Sequence, residues 1–176
     1  PVFALAVVGI FLYVGAEVCM ARFIKPTLEG FGFASDKAAL LGPTLFFGTV
    51  TFGRLVAGSI KLNARTFFRL SAGMGLLGVV LMLLGIKYLA VVGVILGGLG
   101  FANIWPMLFS ITIEEKPDRA SELSGLMCMA ISGGAIVPLI MGKLIDTGMG
   151  PFAYIVPGLC FTYLLILSLK GKKAAA

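Results

Sequence analysis

The sequence predicts an all-α, polytopic membrane domain of six transmembrane helices, arranged as two inverted three-helix repeats. Three observations predict it. Hydrophobic residues make up 59% of the 176-residue chain and charged residues 12%, whereas a soluble domain carries about 25% charge to cover its surface. Six apolar runs of about 18–25 residues alternate with short polar connections, and each is long enough for a helix to cross about 30 Å of hydrocarbon. The 24 glycines suit closely packed transmembrane helices better than a soluble core.

The runs cover residues 2–24, 40–60, 66–86, 89–113, 123–145 and 152–169. They are apolar around the whole helix, as expected when every side meets lipid or another helix. Strand-length segments of alternating character are absent, which excludes an outer-membrane barrel pattern. Residues 25–39 form the longest connection and include a possible extension of the first helix. Because helices cross alternately, the connections sort into two sides. One side carries Lys61, Arg65, Arg69, Lys116, Arg119, Lys170, Lys172 and Lys173; the other carries Lys25, Lys37 and Lys87. The excess of Lys and Arg places the first side, and both termini, in the cytoplasm. The acids Glu114, Glu115, Asp118 and Glu122 share that side. The chain divides near residue 87 into a first three-helix unit, 1–87, and a second, 88–176, of opposite crossing order, within one six-helix domain over 1–176. That is the layout of an inverted repeat in secondary transporters.

Several function classes drop out. There is no histidine, and Cys19, Cys128 and Cys160 lie far apart in apolar runs, so no metal site, disulfide framework or cofactor is expected. The net charge of +6 sits between spans and not in an exposed basic surface with aromatics, so nucleic acid is not an expected partner. Gly73-Met-Gly75-Leu-Leu-Gly78 matches a dinucleotide fingerprint by letter, but it lies inside a transmembrane helix with no ribose-binding acid after it, and reads as packing glycine. Gly93 and Gly97 form a GxxxG face, read as packing ahead of a homodimer seam. The first run is not expected to be a signal peptide, since it has no basic n-region and no small-residue cleavage site. The chain opens at Pro1 inside an apolar stretch, without methionine, which reads as a truncated start.

The polar residues inside the spans carry the functional reading. Glu17 has apolar neighbours on both sides, and an ionised carboxylate near the bilayer centre costs about 2.5–3.5 kcal/mol on insertion scales. It is a candidate substrate hydrogen-bonding group or proton-coupled acid; the alternative is a carboxyl paired to another helix or hydrated near the interface. Tyr13, one turn earlier on the same face, offers a hydroxyl and a ring to a sugar-like ligand, or simply packs. Arg22 reads as snorkelling to headgroups in preference to facing a vestibule. In the fourth run, Pro106 removes a helix hydrogen bond and frees a carbonyl, and freed backbone at that depth is tolerated where it is buried in protein or lines water. Beside it, Asn103 and Trp105 supply an amide and an aromatic face, a pairing suited to a polyol; a kinked packing helix is the alternative. Ser132-Gly133-Gly134 followed by Pro138 marks a bend or a close helix contact.

Taken in order, these residues resemble the C-terminal half of sugar permeases of the major facilitator superfamily, in the fucose–proton symporter and glucose/galactose permease group. Tyr13-Val-Gly15-Ala16-Glu17 resembles the group's seventh-helix motif. Gly53-Arg54-Leu-Val-Ala-Gly58, followed by Arg65, resembles the segment leading into the cytoplasmic loop between helices eight and nine. Trp105-Pro106 with Phe109-Ser110 resembles the tenth helix. Ser124-Gly125, residues 129–138, Met141-Gly142 and Asp146 follow the eleventh-helix pattern. The resemblance implies half of a transporter fold in the inner (cytoplasmic) membrane, moving a monosaccharide of the fucose, glucose or galactose type by cation-coupled symport with alternating access. It implies that Tyr13, Glu17, Asn103 and Trp105 line the sugar site, that Gly53, Arg54, Gly58 and Arg65 serve a cytoplasmic gate, and that the partners are a sugar, a coupling proton or sodium ion, the lipid bilayer and a missing N-terminal six-helix half. An enzyme is not expected, since Glu17 has no evident intramembrane acidic partner except Asp146 near a helix end. A stand-alone six-helix pore or scaffold, and a superfamily transporter of a non-sugar substrate, are the alternatives.

Overall fold

The computed structural model describes residues 2–59 and 62–170. Of the basic residues that set the expected topology, Lys61, Lys172 and Lys173 lie outside the described residues, as does Ile60 at the expected end of the second run. Nine α-helices are present among the described residues: α1 (Val2–Gly30), α2 (Ser35–Ala39), α3 (Leu45–Ala57), α4 (Ala64–Leu83), α5 (Lys87–Phe101), α6 (Ile104–Glu115), α7 (Ala120–Met129), α8 (Gly133–Asp146) and α9 (Ile155–Lys170). With their connecting turns they build six segments long and apolar enough to cross a membrane: α1, α2–α3, α4, α5–α6, α7–α8 and α9 with the turn before it.

Local sequence explains where each segment starts, breaks and stops. α1 runs through Pro26 to Gly30, six residues beyond the apolar run, so much of the expected first connection is helix. The second segment starts at Ser35, ahead of the expected residue 40, and breaks over Leu40–Thr44 around Gly42-Pro43. Gly42 takes φ −97° and ψ −107° there, and a Cβ on it would lie 2.8 Å from Ile24 Cγ2. α4 is capped by Asn63, whose side chain accepts from the Arg65 amide at 3.0 Å, satisfying one of the helix's free donors. It ends before Gly85, whose φ of +68° reverses the chain at little cost only in glycine. The fourth segment breaks at Ala102-Asn103, just before Pro106. The fifth tightens into a 3-10 turn at Ala130–Ser132 before Gly133.

α1 is the central helix and packs on α5, α6, α8 and α9, while α4 packs on α5 and α9, and α3 on α5. Glycine seams bring backbones together. A Cβ on Gly78 would lie 2.6 Å from the Gly93 carbonyl and 2.5 Å from the Gly97 amide; one on Gly100 would lie 2.3 Å from the Gly75 amide. The GxxxG face and two of the three fingerprint-like glycines, Gly75 and Gly78, are thus used for packing α4 on α5. At the bend of the fifth segment, Gly133 sits so close to α1 that a Cβ would lie 2.0 Å from the Phe11 carbonyl oxygen.

The core centres on Phe101, whose ring lies 5.7 Å from Tyr13, 5.4 Å from Phe46 and 4.6 Å from Phe161, joining α1, α3, α5 and α9. Large apolar side chains point outward from the bundle, among them Leu55, Leu139 and Phe52. In water such a surface would be a liability; against acyl chains it needs no polar cover. The two ends of the bundle carry the connections that the crossing order sorts together. At one, Arg65 on α4 pairs with Glu115 on α6 at 2.6 Å. At the other, Lys87 Nζ donates to the Gly32 carbonyl at 2.8 Å and lies over the Phe33 ring.

Candidate functional site

The break between α5 and α6 organises the polar residues. An uninterrupted helix would give the Ala102 carbonyl the amide of residue 106 as its donor, and Pro106 has none. A side chain takes its place: Arg54 Nε donates to the Ala102 carbonyl at 3.0 Å. The neighbouring Phe101 carbonyl accepts from the Tyr13 hydroxyl, also at 3.0 Å. In the reverse direction, Asn103 Nδ2 donates to the Gly53 carbonyl at 3.1 Å. Adjacent residues on two helices, Gly53-Arg54 and Ala102-Asn103, therefore exchange side-chain-to-backbone bonds. The two backbones can approach this closely because residue 53 is glycine: a Cβ there would lie 2.7 Å from Ala102 Cβ.

The same guanidinium faces Glu17. Arg54 Nη2 lies 3.8 Å from Glu17 Oε1, with 53% of the Arg54 side chain and 21% of the Glu17 side chain exposed. The separation is an ion pair without a direct hydrogen bond. Donor and acceptor both retain capacity for a third group on the open side: the carboxylate accepts only, and the guanidinium donates only.

Of the residues singled out in the sequence, Tyr13, Glu17 and Asn103 come together at this break. Their states differ from one another. Tyr13 is 1% exposed and its proton is taken by Phe101, so it holds the break from inside the core. Asn103 is buried and spends its amide donor on Gly53. Glu17 is the member with an open carboxylate. Trp105 stacks on Phe109 with ring centroids 5.1 Å apart and is half-buried; its ring contact is along its own helix.

Arg54 belongs to this group as well. Its partners are Glu17 and the Ala102 carbonyl, not the acids of the connection at Glu114–Glu122. The overlooked signal was its position inside the second apolar run, since an ionisable residue within a span marks a functional site with a partner to be found. Arg65 does pair with one of those acids, Glu115. Gly58 caps α3, and a Cβ there would meet, among the described residues, the Leu55 carbonyl at an ordinary 3.7 Å, so of these two glycines Gly53 is the one at a close helix approach. A cavity of about 220 Å³ lies elsewhere, beside the Arg65–Glu115 pair and floored by Leu108 and Leu167. The Glu17–Arg54 group lies on an open face instead. Among the described residues no cluster of His, Cys, Asp and Glu suits a metal ion.

No family model matches the chain. The glucose/galactose transporter of Brucella abortus biovar 1 (strain 9-941) is 31% identical over 178 residues, spanning 97% of this chain and 42% of that protein. The L-fucose-proton symporter of Escherichia coli (strain K12) is 28% identical over 173 residues, spanning 93% of this chain and 38% of that protein. A crystal structure of the major facilitator superfamily transporter FucP in the outward conformation superposes with a TM-score of 0.87 at 20% identity, over 96% of this chain and 42% of that one. The fold is that of one six-helix half of a major facilitator superfamily transporter. Within that class, the likeness to the glucose/galactose and fucose permease group extends over nearly the whole chain. The chain spans about two fifths of the length of the curated relatives it matches, and those relatives are named as transporters.

Proposed function

We propose that the chain is the C-terminal half of a permease that carries a monosaccharide of the fucose, glucose or galactose type across the cytoplasmic membrane by alternating access, with cation-coupled symport. The observation that carries this reading is the open Glu17–Arg54 pair beside a broken span in an otherwise apolar bundle. A carboxylate and a guanidinium held 3.8 Å apart suit a sugar hydroxyl that donates to one and accepts from the other. Because the pair lies on a face and not in a closed cavity, a second six-helix half would complete the site, as in transporters whose substrate binds between two halves. In this reading both termini are cytoplasmic, residues 1–87 and 88–176 form two inverted units, and the half-buried Trp105 offers its exposed part to the C–H surface of the sugar. Arg65 with Glu115 ties α4 to α6 at the cytoplasmic end, where a gate needs a contact that can be broken.

The test is equilibrium sugar binding to the full-length transporter. Glu17→Gln keeps the shape and an acceptor oxygen, whereas Glu17→Ala removes both. A hydrogen bond lost with its partner left unsatisfied costs about 1–3 kcal/mol. Gln should retain much of the affinity and Ala should lose it by about that amount. Unchanged affinity in both variants refutes the site.

A further inference from the structure

We propose that Arg54 is the donor that replaces the amide Pro106 lacks: a positioning residue whose hydrogen bond holds the break in the fourth span and fastens it to the second. This deepens the transport reading by naming what keeps that site in shape.

The argument rests on four pieces of geometry. Position 102 is the acceptor that a proline at 106 orphans, by the i to i−4 rule, and Arg54 Nε is its donor at 3.0 Å. The bond is met by a reciprocal one, Asn103 Nδ2 to the Gly53 carbonyl at 3.1 Å, so the two helices are clasped in both directions at one level. At Gly53 the second span contributes no side chain to the contact, and a Cβ there would lie 2.7 Å from Ala102 Cβ. Finally, the ion pair to Glu17 is the looser of the two Arg54 contacts, at 3.8 Å with half the side chain exposed. The anchored end of the guanidinium is the one on the break; the free end is the one on the open face. A carbonyl left without a donor inside a span costs free energy unless another group meets it, which gives the anchored bond its weight. The second and fourth spans consequently move as one piece at this level, while the outer nitrogens of Arg54 remain available to a ligand.

The experiment is a double-mutant cycle in the full-length transporter, read by hydrogen exchange over residues 99–107 without sugar. Arg54→Met removes the donor and keeps the length of the side chain. Pro106→Ala restores a backbone amide that can reach the Ala102 carbonyl. Arg54→Met should speed exchange at the break about tenfold when residue 106 is proline, the size expected when one bond guarding a local opening is lost. In the Pro106→Ala background the same substitution should change exchange less than about twofold. An equal acceleration in both backgrounds overturns the proposal, because Arg54 would then act only through Glu17. Should Arg54→Met not accumulate, accumulation of the double variant supports the proposal, and loss of both overturns it, since the supplied amide would have failed to compensate. Exchange needs no sugar, so failure of the Glu17 binding test leaves this result standing, and the reverse also holds.

Discussion

Gly53→Ala is a small change placed where the structure has no room for it. The added Cβ would start 2.7 Å from Ala102 Cβ, while carbon atoms pack best about 3.5–4.0 Å apart. The obstacle is another Cβ fixed to backbone, so no rotamer relieves it, and the helices must part by about 1 Å. The clasp bonds, now 3.0 and 3.1 Å, would stretch to about 4 Å, beyond hydrogen-bond range. Overpacking costs about 1–3 kcal/mol and an unmatched buried carbonyl a similar amount; allowing for relaxation, about 2–4 kcal/mol is expected in all. The assay is unfolding of the full-length transporter in detergent, with Gly48→Ala as the control. Gly48 lies on the same helix with nothing within 4 Å of its added Cβ, so the control should be neutral or stabilising by up to about 1 kcal/mol. Equal stability of the two variants would refute the close-approach argument, and with it the claim that glycine at 53 permits the clasp.

Three further outcomes are expected. Tyr13→Phe keeps the ring packed on Phe101 but leaves the Phe101 carbonyl without its donor, so it should lower stability by about 1–3 kcal/mol, read in the same unfolding assay. The Arg65–Glu115 pair is partly exposed, 27% and 36% for the two side chains, so a double-mutant cycle with Arg65→Gln and Glu115→Gln should give a coupling of only about 0.2–1 kcal/mol. A larger change in transport rate than in stability would place the pair in the gate. Cysteines introduced at Lys37 and Lys116 should label from opposite faces of the membrane; labelling of both from outside would overturn the orientation drawn from the basic residues.

The span pattern was legible because it depends on composition: continuous apolar length under few charges leaves little choice but a bundle of transmembrane helices. Boundaries were less legible. Asp36 and Lys37 begin the second segment as helix although they are polar, because its break falls later, at Gly42-Pro43. The freed carbonyl before Pro106 followed from the sequence, since proline's missing amide is a local property. Its partner did not. Arg54 is 52 positions away from Pro106, and only the packing of α3 against α5 shows that it reaches Ala102. The sequence suggested Glu17 for the site and Arg54 for the gate; side-chain length lets one guanidinium stand beside both the carboxylate and the break. For Tyr13 the sequence leaves ligand contact and packing open, because sharing a helix face with Glu17 does not say what the neighbouring helices cover; the contact with Phe101 buries it.

The glycine seam between α4 and α5 has a thermodynamic consequence. Where Gly78 meets Gly93 and Gly97, and Gly75 meets Gly100, the opposing surfaces are peptide groups. Side chains freeze rotamers when they pack, at a cost that reaches about 1.5–2 kcal/mol for the longest, whereas glycine freezes none. The glycines along this line therefore forfeit no rotamer entropy of their own on association, and Cα–H groups set directly against carbonyl oxygens add weak attraction. It also has no rotamers to exchange. An interface of interdigitated side chains can settle into a second arrangement by flipping a few of them; a peptide-on-peptide seam has only the registers its backbones permit. The third span and α5, the first part of the fourth, are therefore coupled closely at these glycines, and a shift between them is harder here than at contacts that carry side chains.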